Sequence, residues 1–234
     1  MALILCIETT TAVCSAALVE GCQVLAIRES DQKNVHSARL NFFIEELFND
    51  TGLNYKALDA VAVSMGPGSY TGLRIGVSTA KGICYAVDKP LIALETLRCM
   101  AAGFIAGNHV LPHHTILCPM IDARRMEMFT AAYDLNLDEV QPVSAEIIDI
   151  DTFAALLADH PVYFFGDGAA KCREILSHHI NAAYIDSFTN SASHMAVLAN
   201  IKFRERQFED TAYFEPFYLK DFIAGKPNVK GLFE

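Results

Sequence analysis

Apolar runs and helical stripes alternate along the chain, and their order predicts its elements. Leu3-Ile4-Leu5-Cys6-Ile7 is an unbroken apolar run of strand length, bounded by Glu8. Strand patterns at 13–20 and 23–28 follow polar turns at Thr9-Thr10-Thr11 and Gly21-Cys22, so the three segments predict an antiparallel meander. Over 37–50, Leu40, Phe43, Ile44, Leu47 and Phe48 fall on one helical face, and Gly52 supplies the stop. Phe42 lies opposite that face and is left exposed in a monomer. A strand at 61–64, the turn Gly66-Pro67-Gly68, a helix over 71–87 and a strand at 91–94 after Pro90 complete the first set.

A helix from 96 to about 106 and the polar, proline-containing segment 107–114 mark the expected lobe boundary, giving lobes 1–106 and 107–234. The pattern then partly repeats. Residues 115–121, 126–133 and 143–148 read as strands, Asp151 as the cap of a helix to 158, and 162–165 as a buried strand ending at Gly166-Asp167-Gly168. Helices are predicted over 169–176 and 193–206. A meander followed by helix and strand, met twice, predicts a duplicated α/β architecture, with the actin-like, ribonuclease-H-like duplication as the first fold to consider.

Composition narrows the function. The chain has 234 residues, 52% of them hydrophobic and 20% charged, which excludes disorder and coiled coil. Its net charge of -10 repels phosphate backbones, so nucleic acid is not expected to bind the chain alone. The seven scattered cysteines, without a C-x-x-C pair, read as buried free thiols of a cytoplasmic protein. The N-terminus meets Glu8 too early for a signal peptide, and the apolar stretch 99–121 carries Asn108, three histidines and two prolines, so no membrane span is expected.

The most informative segment is Ser64-Met65-Gly66-Pro67-Gly68-Ser69-Tyr70-Thr71-Gly72-Leu73-Arg74-Ile75-Gly76. It fails the phosphate-loop pattern because Leu73 and Arg74 follow Gly72, and the dinucleotide pattern because Thr71 stands in the third glycine's place. It fails the nucleophile-elbow pattern because Pro67 precedes Ser69 by two. What remains is a strand-to-helix turn whose amides either meet an anion or cap the helix. Within that helix Gly72, Gly76 and Ala80 recur every four residues, a stripe that admits close approach by the chain's own sheet or by another subunit. Taken as a subunit interface, it brings Ile75, Thr79, Ile83 and the neighbouring Phe42 into the same surface. The pairs His113-His114 and His178-His179 lack metal-ligand spacing and read as surface residues. Asp122-Ala123-Arg124-Arg125 reads either as a solvated turn or as one side of an inter-lobe ion pair, and no Ser-His-Asp or Cys-His set can be assembled.

Ile4-Leu5-Cys6-Ile7-Glu8-Thr9-Thr10-Thr11, the segment from Gly66 to Gly76, Ile121-Asp122-Ala123-Arg124 and Tyr218-Leu219-Lys220 together resemble the bacterial TsaB (YeaZ) family over essentially the full length. The resemblance implies a two-lobed actin-like ATPase fold and a role in threonylcarbamoyl modification of the adenosine next to the tRNA anticodon. In the catalytic TsaD relatives an H-x-x-x-H metal pair follows the Gly-Pro-Gly helix and the next strand. Here Thr96 and Met100 stand near those places, so no metal and no catalytic residue is expected. The implied role is that of a non-catalytic scaffold that binds TsaD through first-lobe helices, recruits the ATPase TsaE, pairs with itself when alone and meets tRNA only through the complex. Glu8, Thr9, Gly66, Gly68, Arg124, Gly166, Asp167 and Gly168 are the expected remnant of a nucleotide cleft, with no cofactor beyond weak nucleotide binding. A glycoprotease-like peptidase and a free-standing ATPase are the alternatives.

Overall fold

Side chains of successive strand residues point to opposite faces of a sheet, so a strand that is apolar at every position needs cover on both sides. The computed structural model, which describes residues 1–32, 36–107, 110–123 and 127–220, supplies that cover. Strands β1 (Leu3–Glu8), β2 (Cys14–Glu20) and β3 (Gln23–Ser30) form the expected antiparallel meander. Helix α1 (His36–Thr51), strand β4 (Ala60–Gly66), helix α2 (Tyr70–Val87) and strand β5 (Leu91–Glu95) follow, giving a sheet of order β3-β2-β1-β4-β5 in which β1, β4 and β5 are parallel. Leu3, Leu5 and Ile7 pack with Leu40, Ile44 and Leu47 of α1 and Val77 and Ala80 of α2. The intervening Ile4 and Cys6 face the other way.

Helix α3 (Thr96–Ala106) leads to the second sheet, built from β6 (Ile116–Asp122), β7 (Glu127–Tyr133) and β8 (Glu139–Ile147), helix α4 (Ala154–Asp159), strand β9 (Val162–Phe165), helix α5 (Ala169–Leu176) and strand β10 (Ala182–Ile185). Its order, β10-β9-β6-β7-β8, is the order of the first sheet repeated. All strands of the first sheet precede residue 107 and all strands of the second follow it. The 3-10 turn Ala192–Met195 and helix α6 (Ala196–Arg204) then return to the first sheet, where Ala192, Met195, Leu198 and Ala199 cover Ile4, Cys6, Ala62 and Ile92. Leu97, Met100 and Phe104 of α3 pack with Leu117, Ile121 and Phe165 of the second sheet, while Cys99 and Ala102 face the first.

Five sequence expectations are corrected. Strand β10 has no counterpart in the apolar pattern, and β8 starts at Glu139 rather than at 143. Asp151 does not cap α4. Asp149 takes the neighbouring donors, the amides of Asp151 and Thr152 and the Thr152 hydroxyl, and Phe153 enters α4 with a φ of 68°. The expected helix over 193–206 is a 3-10 turn, capped by Ser191, joined to an α-helix that stops at Arg204. Six cysteines are buried, but Cys22 is exposed at its turn. Among the described residues no helix is long and apolar enough to cross a membrane.

Candidate functional site

At the carboxyl end of β1, Glu8 is wholly buried and its two oxygens are spent inside the chain. Oε1 accepts from the Thr10 amide at 2.6 Å and the Thr10 hydroxyl at 2.5 Å, and Oε2 accepts from the Ser64 hydroxyl. Asn190, from the segment returning to the first sheet, donates to Thr10 Oγ1 at 3.5 Å. Burial pushes the Glu8 carboxyl above its ordinary range, and the hydrogen bonds from Ser64 and Thr10 pull against that.

The Gly66-Pro67-Gly68 turn and the start of α2 pack onto this hairpin. The Ser69 amide donates to Thr10 O at 2.7 Å, the Thr9 hydroxyl donates to Gly72 O at 2.7 Å, and Ser69 Oγ caps α2 by accepting from the Gly72 amide. A Cβ on Gly68 would lie 2.5 Å from Thr10 Cβ; on Gly72 it would strike Thr9 O, and on Gly76 the Thr9 hydroxyl. Ala80 is buried in the core between α1, α2 and the sheet. The glycine stripe therefore meets the chain's own first hairpin, and Gly72, Gly76 and Ala80 are corrected from surface contacts to buried ones. Ile75, Thr79 and Ile83 on the flank of α2 are half-buried, and Phe42 on α1 is 61% exposed. Tyr85 stands out further along α2 at 88%.

A cavity of about 970 Å³ separates the lobes, with Thr10, Thr11, Ser69 and Tyr70 on one wall and Ile121, Asp122, Phe129 and Asp167 on the other. Of the expected nucleotide-cleft residues, Gly68 and Asp167 line it. Glu8 and Thr9 lie beneath its wall, Gly66 packs against Phe217, and Gly166 and Gly168 pack against Met120 and Met128. Arg124 lies outside the described residues. Asp122 is held by Lys171 at 2.6 Å, and its amide donates to Asp167 Oδ1 at 3.0 Å. Burial first, and the Asp122 charge with it, push the Asp167 carboxyl up. Residues 217–220 complete the rim of the cavity. Thr10, Ser69, Tyr70 and Asp122 belong to segments that the sequence marks, yet their place on one wall or the other emerges only on folding.

Thr96 is wholly buried at the start of α3, and Met100, one turn on, brings its Cε against Gly166, where a Cβ would lie 2.7 Å away. Among the described residues no group of three or more His, Cys, Asp or Glu side chains is placed to hold a metal ion. His113, His114 and His178 are exposed and His179 is half-buried, at the amino ends of β6 and β10. Burial pushes the thiols of Cys6 and Cys118 up to about 12.

The family of TsaD, the tRNA N6-adenosine threonylcarbamoyltransferase, matches residues 23–227. The chain is 31% identical over 177 residues to the tRNA threonylcarbamoyladenosine biosynthesis protein TsaB of Bacillus subtilis, covering 74% of each. It is 24% identical over 234 residues to the protein of the same name from Haemophilus influenzae, covering 95% of each. Among solved structures, YeaZ from Pseudomonas aeruginosa superposes with a TM-score of 0.77 at 21% identity, over 94% of this chain and 100% of that one. The fold is the actin-like ATPase fold.

Proposed function

The chain belongs to the TsaD family and, within it, to the TsaB branch, and from that membership we propose that it serves threonylcarbamoyl modification of tRNA adenosine as a non-catalytic scaffold. The observation that carries this reading is the direction of the first lobe's polar groups. The Glu8 carboxyl and the amides of Thr10, Ser69 and Gly72 all have partners inside the chain. A phosphate seated at the Gly66-Pro67-Gly68 turn would have to recruit such amides, and the facing wall meets it with the acidic Asp122 and Asp167. Nucleotide binding is accordingly weak, and a free-standing ATPase is disfavoured. The thiols of Cys6 and Cys118, pushed up to about 12, offer a peptidase no nucleophile. With Thr96 and Met100 buried near the places of the relatives' histidine pair, the chemistry falls to the TsaD subunit.

Docking uses the outer face of α1 and α2. Phe42 on α1 is its exposed aromatic anchor and Ile75, Thr79 and Ile83 are its half-buried positions on α2, while Gly72, Gly76 and Ala80 set that helix from beneath. A specific interface there buries roughly 1,200 to 2,000 Å² in total. The same face serves a homodimer when TsaD is absent, TsaE joins the assembled pair, and a chain of net charge -10 meets tRNA only through that assembly. The test is reconstitution of tRNA modification from purified TsaD, TsaE and a supply of the threonylcarbamoyl-adenylate. Activity that depends on adding this chain, with none from the chain alone, supports the scaffold. Full activity without it, or transfer by the isolated chain, refutes the reading.

A further inference from the structure

The segment after α6, residues 207–220, has neither helix nor strand of its own, yet it is tied to the first lobe along its length. The Glu209 amide bonds to Leu91 O at 2.9 Å beside β5. Lys81 of α2 donates to the carbonyls of Ala212 and Phe214, at 3.1 and 3.0 Å, and Phe214 packs on the core under α2. The Phe217 amide bonds to Met65 O at 2.8 Å, and Phe217 O lies where a Cβ on Gly66 would come within 2.5 Å of it. The Tyr218 ring lies 4.9 Å from that of Tyr70, over which the Arg74 guanidinium sits at 4.2 Å. Two residues on, the chain crosses the cavity rim, and Lys220 Nζ reaches the Glu127 carboxylate of β7 at 2.5 and 2.6 Å.

We propose that this segment is a latch. Fixed to the first lobe from Glu209 through Tyr218, it grips the second lobe through the Lys220–Glu127 pair and so sets how far the inter-lobe cleft opens. The glycine at position 66 has a purpose in this arrangement, because a side chain there would push the strap off β4. The pair is partly exposed, at 49% and 22% for the two side chains, so it biases the opening rather than locking it. A pair of this exposure shifts a two-state population roughly two- to five-fold and loosens as salt rises. The latch does not depend on which partner α1 and α2 take, and it stands or falls separately from the scaffold reading.

The test is amide hydrogen exchange by mass spectrometry on the full chain. Lys220→Glu and Glu127→Lys are each expected to speed exchange about two- to five-fold in peptides covering 68–73 and 217–219. Roughly 1 M salt, at which the screening length falls to about 3 Å, does the same to the parent chain. The double variant, with the charges exchanged, returns to the parent rates. Unchanged exchange in both single variants overturns the latch, as does a double variant no slower than the singles. Faster exchange that extends through β1 and β6 also overturns it, since the pair would then hold the fold and not the cleft.

Discussion

Glu8 ends β1 and Asp122 ends β6, matching positions in two sheets of the same strand order. Gly66-Pro67-Gly68 follows β4 as Gly166-Asp167-Gly168 follows β9, and the first glycine of each turn has a positive φ, 121° and 103°. From there the lobes diverge. Glu8 is sealed under its own hairpin, with Thr10 and Ser64 on its oxygens, whereas Asp122 sits at the cavity wall with its side chain 32% exposed against Lys171. The strand ends fix where a polar group stands, and the packing of the adjoining turn decides whether it faces a ligand. In the first lobe that packing is closed by Thr9 and Thr10 against Gly68, Gly72 and Gly76.

The harshest test of the seal is to fill it. Gly76→Arg drives a cation against Thr9, and Ala80→Glu buries a carboxylate in the core under α2. Each is expected to cost about 3 kcal/mol or more, read as a collapsed melting temperature by circular dichroism. Parent-like melting would return the stripe to the surface and undo the contrast between the lobes.

Phe42→Glu probes the outside of the same lobe. A central aromatic anchor is worth about 2 kcal/mol or more, so TsaD capture should weaken about 30-fold or more while melting stays within about 0.5 kcal/mol of the parent. Normal capture in a titrated pull-down would remove this helix face from the interface.

Glu8 itself should show in the pH dependence of stability. Its folded-state pKa is raised by burial, so the native state holds the proton longer than the unfolded chain does, and stability is lost as pH rises from about the unfolded value through the folded one. The slope in that window is at most about 1.4 kcal/mol per pH unit, and Glu8→Gln should flatten it in urea titrations across pH. An unchanged slope would show that Glu8 is not the sealed group. The smallest effect belongs to the other lobe, where Lys171→Met removes a half-exposed pair and should shift stability by less than about 1 kcal/mol. A larger loss, measured in the same titrations, would mean that Asp122 is as structural as Glu8.

The central strands of the first sheet are legible in the sequence as short unbroken apolar runs bounded by turns, and α1 and α2 by their helical spacing. Strand β10 is not: Ala182-Ala183-Tyr184-Ile185 is four residues, all half-buried, with no contrast between faces. Asp151 looks like a helix cap on paper, but the local donors go to Asp149 and α4 is entered at Phe153 with no side-chain cap. The stripe of Gly72, Gly76 and Ala80 announces a close approach, but the spacing is the same whether Thr9 or another chain makes it. The cavity is less legible still, since Ser69, Asp122 and Tyr218 meet only after both sheets have formed and the strap has returned across α2.

That return has a consequence for synthesis. One face of the first sheet, including Ile4, Cys6, Ala17 and Ala62, is covered by residues 192–199, which leave the ribosome long after the strands they protect. At roughly 5 to 20 residues per second, the meander waits about ten to forty seconds with that face covered only by Cys99 and Ala102 of α3. A chain truncated before residue 190 should therefore aggregate although every strand of its first sheet is present, which light scattering of the truncated and full chains checks.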